Sequence, residues 1–306
     1  MKIEYSRPSA DSILNKIKYS SSETNVFRVY LGAAPGSGKT FMMLEDGNYL
    51  LEHGIDVVIG YVEHHGRKET EAEIKNLEII PRKKIEYRGS TFEELDVEAV
   101  IKRKPSIVLI DELAHNNVPG SKNLKRYQDV IEIYKNGISV FTTLNIFHLN
   151  SIAEKVESEL EIKVSERVPD YILNYVTEII NVDIPAGELI KRLTSGKIYS
   201  KEKIQAALNN FFKIENLIVL REISFSKNIS VAENLGASVF SFRADDIVSG
   251  VIDFVKNNNI SHLVLGATNE KKKIFGIFPK KSIVNRLIDS LPNVSFHVIP
   301  TTSAGI

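Results

Sequence analysis

The sequence predicts an α/β protein with a mostly parallel sheet flanked by helices, followed by a smaller α/β unit. Three observations carry this expectation. Strand-like and helix-like segments alternate from residue 26 onward, the pattern of parallel strands joined by crossover helices. Ser106–Ile110 and Ser139–Thr142 are short and nearly all apolar, as strands covered on both faces must be. Between an apolar run and a helix-forming run lies Gly32-Ala33-Ala34-Pro35-Gly36-Ser37-Gly38-Lys39-Thr40, dense in turn chemistry and ending in Lys-Thr.

The elements follow in chain order. Residues 1–24 read as an arm with a short helix at Ser12–Tyr19. Val26–Leu31 reads as a strand, Thr40–Glu52 as a helix stopped by Gly54, and Asp56–Val62 as a second strand. Glycine supplies the left-handed position that commonly closes a helix. A helical stretch at Lys68–Leu77, a strand at Lys84–Tyr87 and a helix at Thr91–Arg103 precede the two buried strands. From Pro185 the texture turns helix-rich, and 185–222 read as a bridging segment after a domain spanning 25–184. Residues 223–306 then repeat strands (Val239–Phe242, His262–Gly266, Val294–Ile299) and helices (Ile247–Val255, Ile283–Leu291) whose apolar residues fall at helical spacing. Such a short sheet is expected to dock on something or self-associate.

Composition narrows the function classes. With 306 residues there is room for about two domains and an ordinary core. Lysine plus arginine balance aspartate plus glutamate at 39 each, so nothing pulls the chain toward nucleic acid, and no nucleic-acid partner is expected. The absence of cysteine removes disulfides, thiolate metal sites and cysteine nucleophiles. The polar N-terminus shows no secretory signal, and no apolar run approaches the roughly 20 residues of a membrane helix. The expected location is cytoplasmic, with recruitment to the inner face of the membrane through a partner.

The turn-rich stretch has a direct chemical reading. A strand, a tight loop and a helix aim backbone N–H groups at one point, at the positive end of the helix dipole. Gly36 and Gly38 permit close backbone approach. Lys39 reaches β and γ phosphates, and the Thr40 hydroxyl holds Mg²⁺. The usual pattern is Gly-x-x-x-x-Gly-Lys-Ser/Thr; here Ala33 takes the first position, with Gly32 one residue earlier. Residues Ala34, Pro35, Gly36, Ser37, Gly38, Lys39 and Thr40 are therefore expected to bind ATP with Mg²⁺, in a P-loop NTPase-like domain.

A metal needs a second support. The strand ending at Ile110 is followed by Asp111-Glu112, where Asp111 would bind Mg²⁺ through water and Glu112 would orient a water on the γ phosphate. Taken alone, Asp-Glu after an apolar strand reads equally as a helix cap with a solvated neighbour. Thr142-Thr143-Leu144-Asn145 ends the next strand, where Asn145 could sense the γ phosphate. Glu63, His64 and Arg67 follow the second strand and would lie at the same edge, although wet loops carry polar residues anyway. His64 and His65 make poor metal ligands, since adjacent side chains diverge and no third ligand is evident. Arg126 is expected on a solvated helix face, with action across a subunit interface as the alternative. The lysines at 271–273 and 280–281 read as a solvated loop, with contact to an anionic surface as the alternative.

At this point the residues resemble a known family. "GAAPGSGKTFMMLE", "GYVEHHGRKETEAEIKNLEIIPRKKIEYRG", "RKPSIVLIDELAHNNVPGSKNLKRYQDV", "ISVFTTLNIFHLNSI" and "VPDYIL" look like the cytosolic N-terminal region of the KdpD potassium and turgor sensor kinases, in order from about Asn25 to Ile223. The remainder is similar to the universal-stress-protein-like (adenine nucleotide alpha hydrolase-like) module that follows in that family, shortened near its start so that only Ile223–Ser226 is left as a first strand. The resemblance implies a domain that binds ATP on Gly36–Thr40 and modulates a distant histidine kinase in potassium signalling. It does not carry nucleotide binding to the C-terminal unit, where Asn269 and Lys281-Ser282 replace the expected glycines, nor a cyclic di-AMP site, since Ser224-Phe225-Ser226 matches only half of that motif. No phosphoacceptor histidine block or kinase block is present, so autophosphorylation is not expected of this polypeptide alone.

The leading expectation is thus an ATP-binding regulatory module of potassium, or osmotic, two-component signalling. Its implied partners are ATP, a separately encoded membrane sensor kinase or potassium-uptake regulatory protein, and further copies of itself. The alternative is a free-standing P-loop ATPase in which Glu112 and Asn145 are catalytic. A phosphotransferase is the weakest reading, because no substrate pocket is legible.

Overall fold

A computed structural model describes residues 25–160, 162–234, 246–257, 260–266 and 283–299. The expected helix at Ser12–Tyr19, the strand at Val239–Phe242, Asn269, the lysines at 271–273 and 280–281, and Ser282 lie outside these residues. The chain divides into two units, Met1–Ala237 and Ser238–Ile306.

The first unit is built on a six-stranded sheet. Its strands are β1 (Phe27–Gly32), β2 (Val57–Tyr61), β3 (Glu78–Ile79), β6 (Ile107–Ile110), β7 (Ser139–Asn145) and β8 (Glu178–Asn181), in the spatial order β3-β2-β6-β7-β1-β8. Every pairing is parallel. Alternation along each strand explains the double burial. Val108 and Ile110 join a core with Phe27, Val29 and Val140 on one face, while Ile107 and Leu109 join Tyr30, Met43, Leu44 and Phe141 on the other. Each such side chain taken out of water contributes about 1.5–3 kcal/mol. The two strands read as buried on both faces are so.

The helices of this unit are α1 (Lys39–Glu52), α2 (Lys68–Ala72), α3 (Val97–Arg103), α4 (Arg126–Lys135), α5 (Asn150–Leu160), α6 (Ala186–Thr194), α7 (Lys201–Asn209) and α8 (Ile214–Asn234). Two expectations fail for identifiable reasons. Thr91–Arg103 is not one helix: β4 (Lys83–Tyr87) and β5 (Ser90–Glu94) form an antiparallel hairpin, and only then does α3 begin. Arg88 and Gly89 sit at φ 51° and 77°, the left-handed pair that a two-residue hairpin turn requires. The Asp96 carboxylate accepts a hydrogen bond from the Ala99 amide at 3.0 Å and starts α3 there. The second failure is Ile223–Ser226, which is helical rather than a strand. Leu217, Leu220 and Ser224 are buried at spacings of three and four, so one stripe runs through this stretch and α8 continues to Asn234.

In the second unit, helices α9 (Ile247–Asn257) and α10 (Ile283–Ser290) accompany β9 (His262–Gly266) and β10 (Ser295–Ile299). The two strands are parallel, with His262 opposite Ser295. Val248, Val255, Leu287 and Leu291 form its core.

Candidate functional site

The loop between β1 and α1 holds two glycines in the left-handed region, Gly36 at φ 85° and Gly38 at φ 104°, which other residues rarely adopt. This geometry turns the chain tightly into α1, whose first backbone bond is donated by Met42 to the Gly38 carbonyl at 2.9 Å. The amides of Gly36, Ser37, Gly38, Lys39 and Thr40 have no protein acceptor among the described residues. Helix starts leave such donors over, and side chains normally cap them. Here the N-cap is a glycine with no side-chain cap at all. A run of uncapped donors at the positive end of a 14-residue helix fits a polyphosphate.

Lys39 lies inside this loop, with 8% of its surface exposed. Its Nζ donates to Asn145 Oδ1 at 2.6 Å, to the Ala34 carbonyl at 3.1 Å and to Ser37 Oγ at 3.3 Å. All three acceptors are neutral. Burial pushes the ammonium down to about 8; Asp111 opposes that shift and the Arg67 charge adds to it. The lysine is thus a desolvated cation whose hydrogen-bond partners leave its charge uncompensated.

Asp111 follows β6 and is 2% exposed. β6 is not next to β1, because β7 runs between them. The gap is bridged by side chains: Thr40 Oγ1 donates to Asp111 Oδ2 at 3.0 Å, and Thr143 on β7 donates its hydroxyl to Asp111 Oδ1. The Glu112 amide donates to Asp111 Oδ1 at 3.0 Å and to Thr143 Oγ1 at 3.1 Å. Burial, reinforced by the neighbouring Glu112 charge, raises the Asp111 carboxyl above its usual range. Among the described residues no three His, Cys, Asp or Glu side chains gather to cage a metal. The Thr40–Asp111 pair nevertheless fits Mg²⁺, which keeps waters and shares few protein oxygens with phosphate.

Glu112 adopts a left-handed backbone, φ 57°, unusual for a residue with a Cβ. His65 Nε2 lies 3.1 Å from its Oε1. Burial pulls the Glu112 carboxyl upward, but the hydrogen bond and charge of His65, with help from His115 and Arg126, hold it below the usual range. The same hydrogen bond raises His65. Sequence reading set His65 aside as a metal ligand and had no signal for this pairing, which spans 47 positions. His64 serves its own turn, accepting from the Gly66 amide at 3.2 Å, and Glu63 pairs with Arg82 at 3.5 Å.

Arg126 corrects the sequence reading: it is fully buried, neither on a solvated face nor free to cross an interface. Its Nη2 donates to Glu94 Oε2 at 2.8 Å, its Nη1 to the Asp111 carbonyl at 3.2 Å, and its guanidinium stacks 3.8 Å over the Tyr61 ring. Arg126, Asp129, Val130 and Ile133 form the buried stripe of α4 at spacings of three, one and three, so the helical period held the clue.

Residues 185–222 do more than bridge, for they pack on the loop. Ala34 shares a core with Leu189, Leu193, Ile198 and Phe212. Arg192 Nη1 donates to the Gly36 carbonyl at 3.1 Å, and Arg67 Nη2 to the Ile198 carbonyl at 3.3 Å. Ala34 to Thr40, Asp111, Glu112 and Asn145 are thus brought to one sheet edge, joined by Thr143 and His65.

Comparison with known proteins gives the family. A model of the osmosensitive K⁺ channel His kinase sensor domain, KdpD, matches residues 23–233. The sensor protein KdpD of Mycobacterium tuberculosis (strain CDC 1551 / Oshkosh) is 45% identical over 229 residues, 75% of this chain and 26% of that protein. KdpD of Clostridium acetobutylicum is 42% identical over 382 aligned positions, covering 99% of this chain and 42% of that protein. That alignment is longer than this chain, so the relative carries stretches with no counterpart here. The KdpD of Escherichia coli (strain K12) is 39% identical over 72% of this chain and 24% of its own length. The chain therefore spans from about a quarter to under half of the length of these relatives. Among the described residues no helix is long and apolar enough to cross a membrane. With the family model covering more than half of its length, the chain belongs to the KdpD osmosensitive K⁺ channel His kinase sensor domain family.

Proposed function

We propose that this chain is an ATP-binding regulatory module of potassium or osmotic signalling, in which nucleotide occupancy of the Gly36–Thr40 loop sets the state of the 25–222 region. One observation carries the reading. A buried ammonium with neutral partners, a run of uncapped amides, and a hydroxyl–carboxylate pair converge at the start of α1. Phosphates would engage Gly36, Ser37, Gly38, Lys39 and Thr40, with Ala34 and Pro35 shaping the loop. Mg²⁺ would sit on Thr40 and, through water, Asp111, neutralising charge between phosphates.

The relatives are sensor proteins and the family is that of the osmosensitive K⁺ channel His kinase sensor domain, and we carry the potassium-signalling role over from them as part of this proposal. Partners would be a membrane sensor kinase or a potassium-uptake regulator on the cytoplasmic face, and further copies of this chain. Residues 238–306, the part of the expected 223–306 module that lies outside α8 and the first unit, would be a shortened universal-stress-protein-like unit, to which parallel β9 and β10 over an apolar core lend support. Calorimetric titration of ATP, with and without Mg²⁺, tests the reading on wild type and Lys39→Ala. Micromolar binding that needs Mg²⁺ and Lys39 is expected; equal binding by both proteins would refute it.

A second reading, a free-standing ATPase, is favoured by the ionised state of Glu112. A carboxylate held below its usual range beside the metal site could polarise a water toward a γ phosphate. Steady-state turnover lost in both Lys39→Ala and Glu112→Gln would support it. Tight binding without turnover leaves the regulatory reading alone.

A further inference from the structure

Arg67 stands beyond the end of β2, at the sheet edge that carries Asp111 and Asn145. Its guanidinium is half-buried, and no ion pair compensates it among the described residues. Nη2 donates to one backbone carbonyl, that of Ile198, at 3.3 Å, while Nε is buried with no acceptor. A guanidinium presents five donors and keeps its charge at any working pH. Desolvating it beside a single neutral acceptor is unfavourable unless an anion completes its shell.

The nearby carboxylates are already committed. Asp111 accepts from Thr40, Thr143 and the Glu112 amide, and Glu112 is held by His65. Lys39, Arg67 and Arg192 therefore surround the loop with more positive charge than its carboxylates answer. The segment that carries Ile198 also touches the loop directly. A Cβ placed on Gly36 would lie 2.3 Å from Ile198 Cδ1, and Arg192 holds the Gly36 carbonyl. Ile198 is thus in contact with both the phosphate loop and Arg67.

On the reading of this loop as an ATP site, we propose that Arg67 is the ligand of the terminal phosphate, and that it reports that phosphate to the 185–222 segment by exchanging the Ile198 carbonyl for phosphate oxygens. Guanidinium bonds to an anionic oxygen are roughly twice as strong as those to a neutral carbonyl, and phosphate offers two-point contact. The exchange therefore runs toward phosphate when a third phosphate is present and back when it is absent. ADP, lacking that group, leaves Arg67 on Ile198.

Two measurements on the full chain with Mg²⁺ test this. Titration with ADP and with AMPPNP gives the preference for the triphosphate, and hydrogen exchange of peptides covering 196–200 reports the segment. Wild type should prefer AMPPNP, and exchange at 196–200 should rise with AMPPNP but not with ADP. In Arg67→Ala the preference should fall by about tenfold or more, with ADP affinity within about threefold of wild type and the exchange response lost. Arg67→Lys, which keeps the charge and stem, should recover part of the preference and serves if the alanine variant misfolds. An unchanged preference in both variants, or exchange at 196–200 indifferent to nucleotide, overturns the role of Arg67 while leaving the ATP site intact. Absence of Lys39-dependent binding of either nucleotide overturns the site and Arg67 together.

Discussion

Asn145 Oδ1 lies 2.6 Å from the Lys39 ammonium, tying the end of β7 to the first residue of α1 across 106 positions. The acceptor is a neutral amide, so Lys39 is held in place without being neutralised. That suits a lysine which must hand itself to a phosphate, because a neutral partner is released more readily than a carboxylate.

Asn145→Asp tests this directly. A carboxylate at the same position would bind the ammonium more strongly and repel incoming phosphate. ATP affinity should drop by about tenfold or more, against about threefold or less for Asn145→Ala, in a calorimetric titration. Wild-type affinity in the aspartate variant would mean that Lys39 does not meet the phosphates.

Burial of Lys39 also predicts a pH dependence of stability. Its ammonium is shifted from 10.5 down to about 8. Between those values the unfolded chain binds more protons than the folded one, so stability rises with pH through that window. Below about pH 8 the whole cost is present. Measured against Lys39→Met in denaturant, wild type should gain about 2 kcal/mol in relative stability between about pH 7 and about pH 9.5. A pH-independent difference would show that the ammonium is better solvated than its contacts imply.

Much of this site is legible in the sequence, and the missing parts share one cause. Gly36, Gly38, Lys39 and Thr40 are readable because the chemistry of a phosphate loop is local. Ile107–Ile110 and Ser139–Thr142 are readable because strands covered on both faces leave a continuous apolar run. Arg126 does not read as buried because its partner Glu94 lies 32 positions away, in the second strand of a hairpin that the sequence alone reads as the start of a helix. His65 and Arg67 sat in a stretch rich in polar residues, where only the fold reveals that one faces Glu112 and the other Ile198. The Ile223–Ser226 stretch looked like a strand because four residues cannot display a helical period. The period emerges only from Leu217 onward.

The left-handed backbone of Glu112 gives a prediction in which glycine outperforms alanine. Both substitutions remove the carboxylate and its bond to His65, but alanine keeps the Cβ that is strained at φ 57°. Glu112→Gly should be more stable than Glu112→Ala by about 1 kcal/mol, against the usual entropic penalty of glycine. Any ATP turnover should vanish in both. Thermal melts ranking alanine above glycine would show that this turn carries no strain.

Arg126 and Glu94 form an ion pair with side chains 0% and 4% exposed. Removing Arg126 leaves the buried Glu94 carboxylate with only the His115 ring, at 3.1 Å, and the Val118 amide as partners, and an under-compensated buried charge costs up to about 3–5 kcal/mol, more than the pair itself is worth against apolar replacements. Arg126→Met should therefore lose about that much stability and, through the Asp111 carbonyl it releases, weaken the Mg²⁺ dependence of ATP binding. Glu94→Gln added to Arg126→Met removes the stranded charge while keeping an acceptor for the Val118 amide, which now donates to Glu94 at 2.9 Å. The double variant should recover more than half of the loss in urea denaturation, yet leave the Mg²⁺ effect impaired, since no side chain then reaches the Asp111 carbonyl. If the two losses instead add, the stranded charge is not their cause, and the packing of the guanidinium over Tyr61 carries the energy.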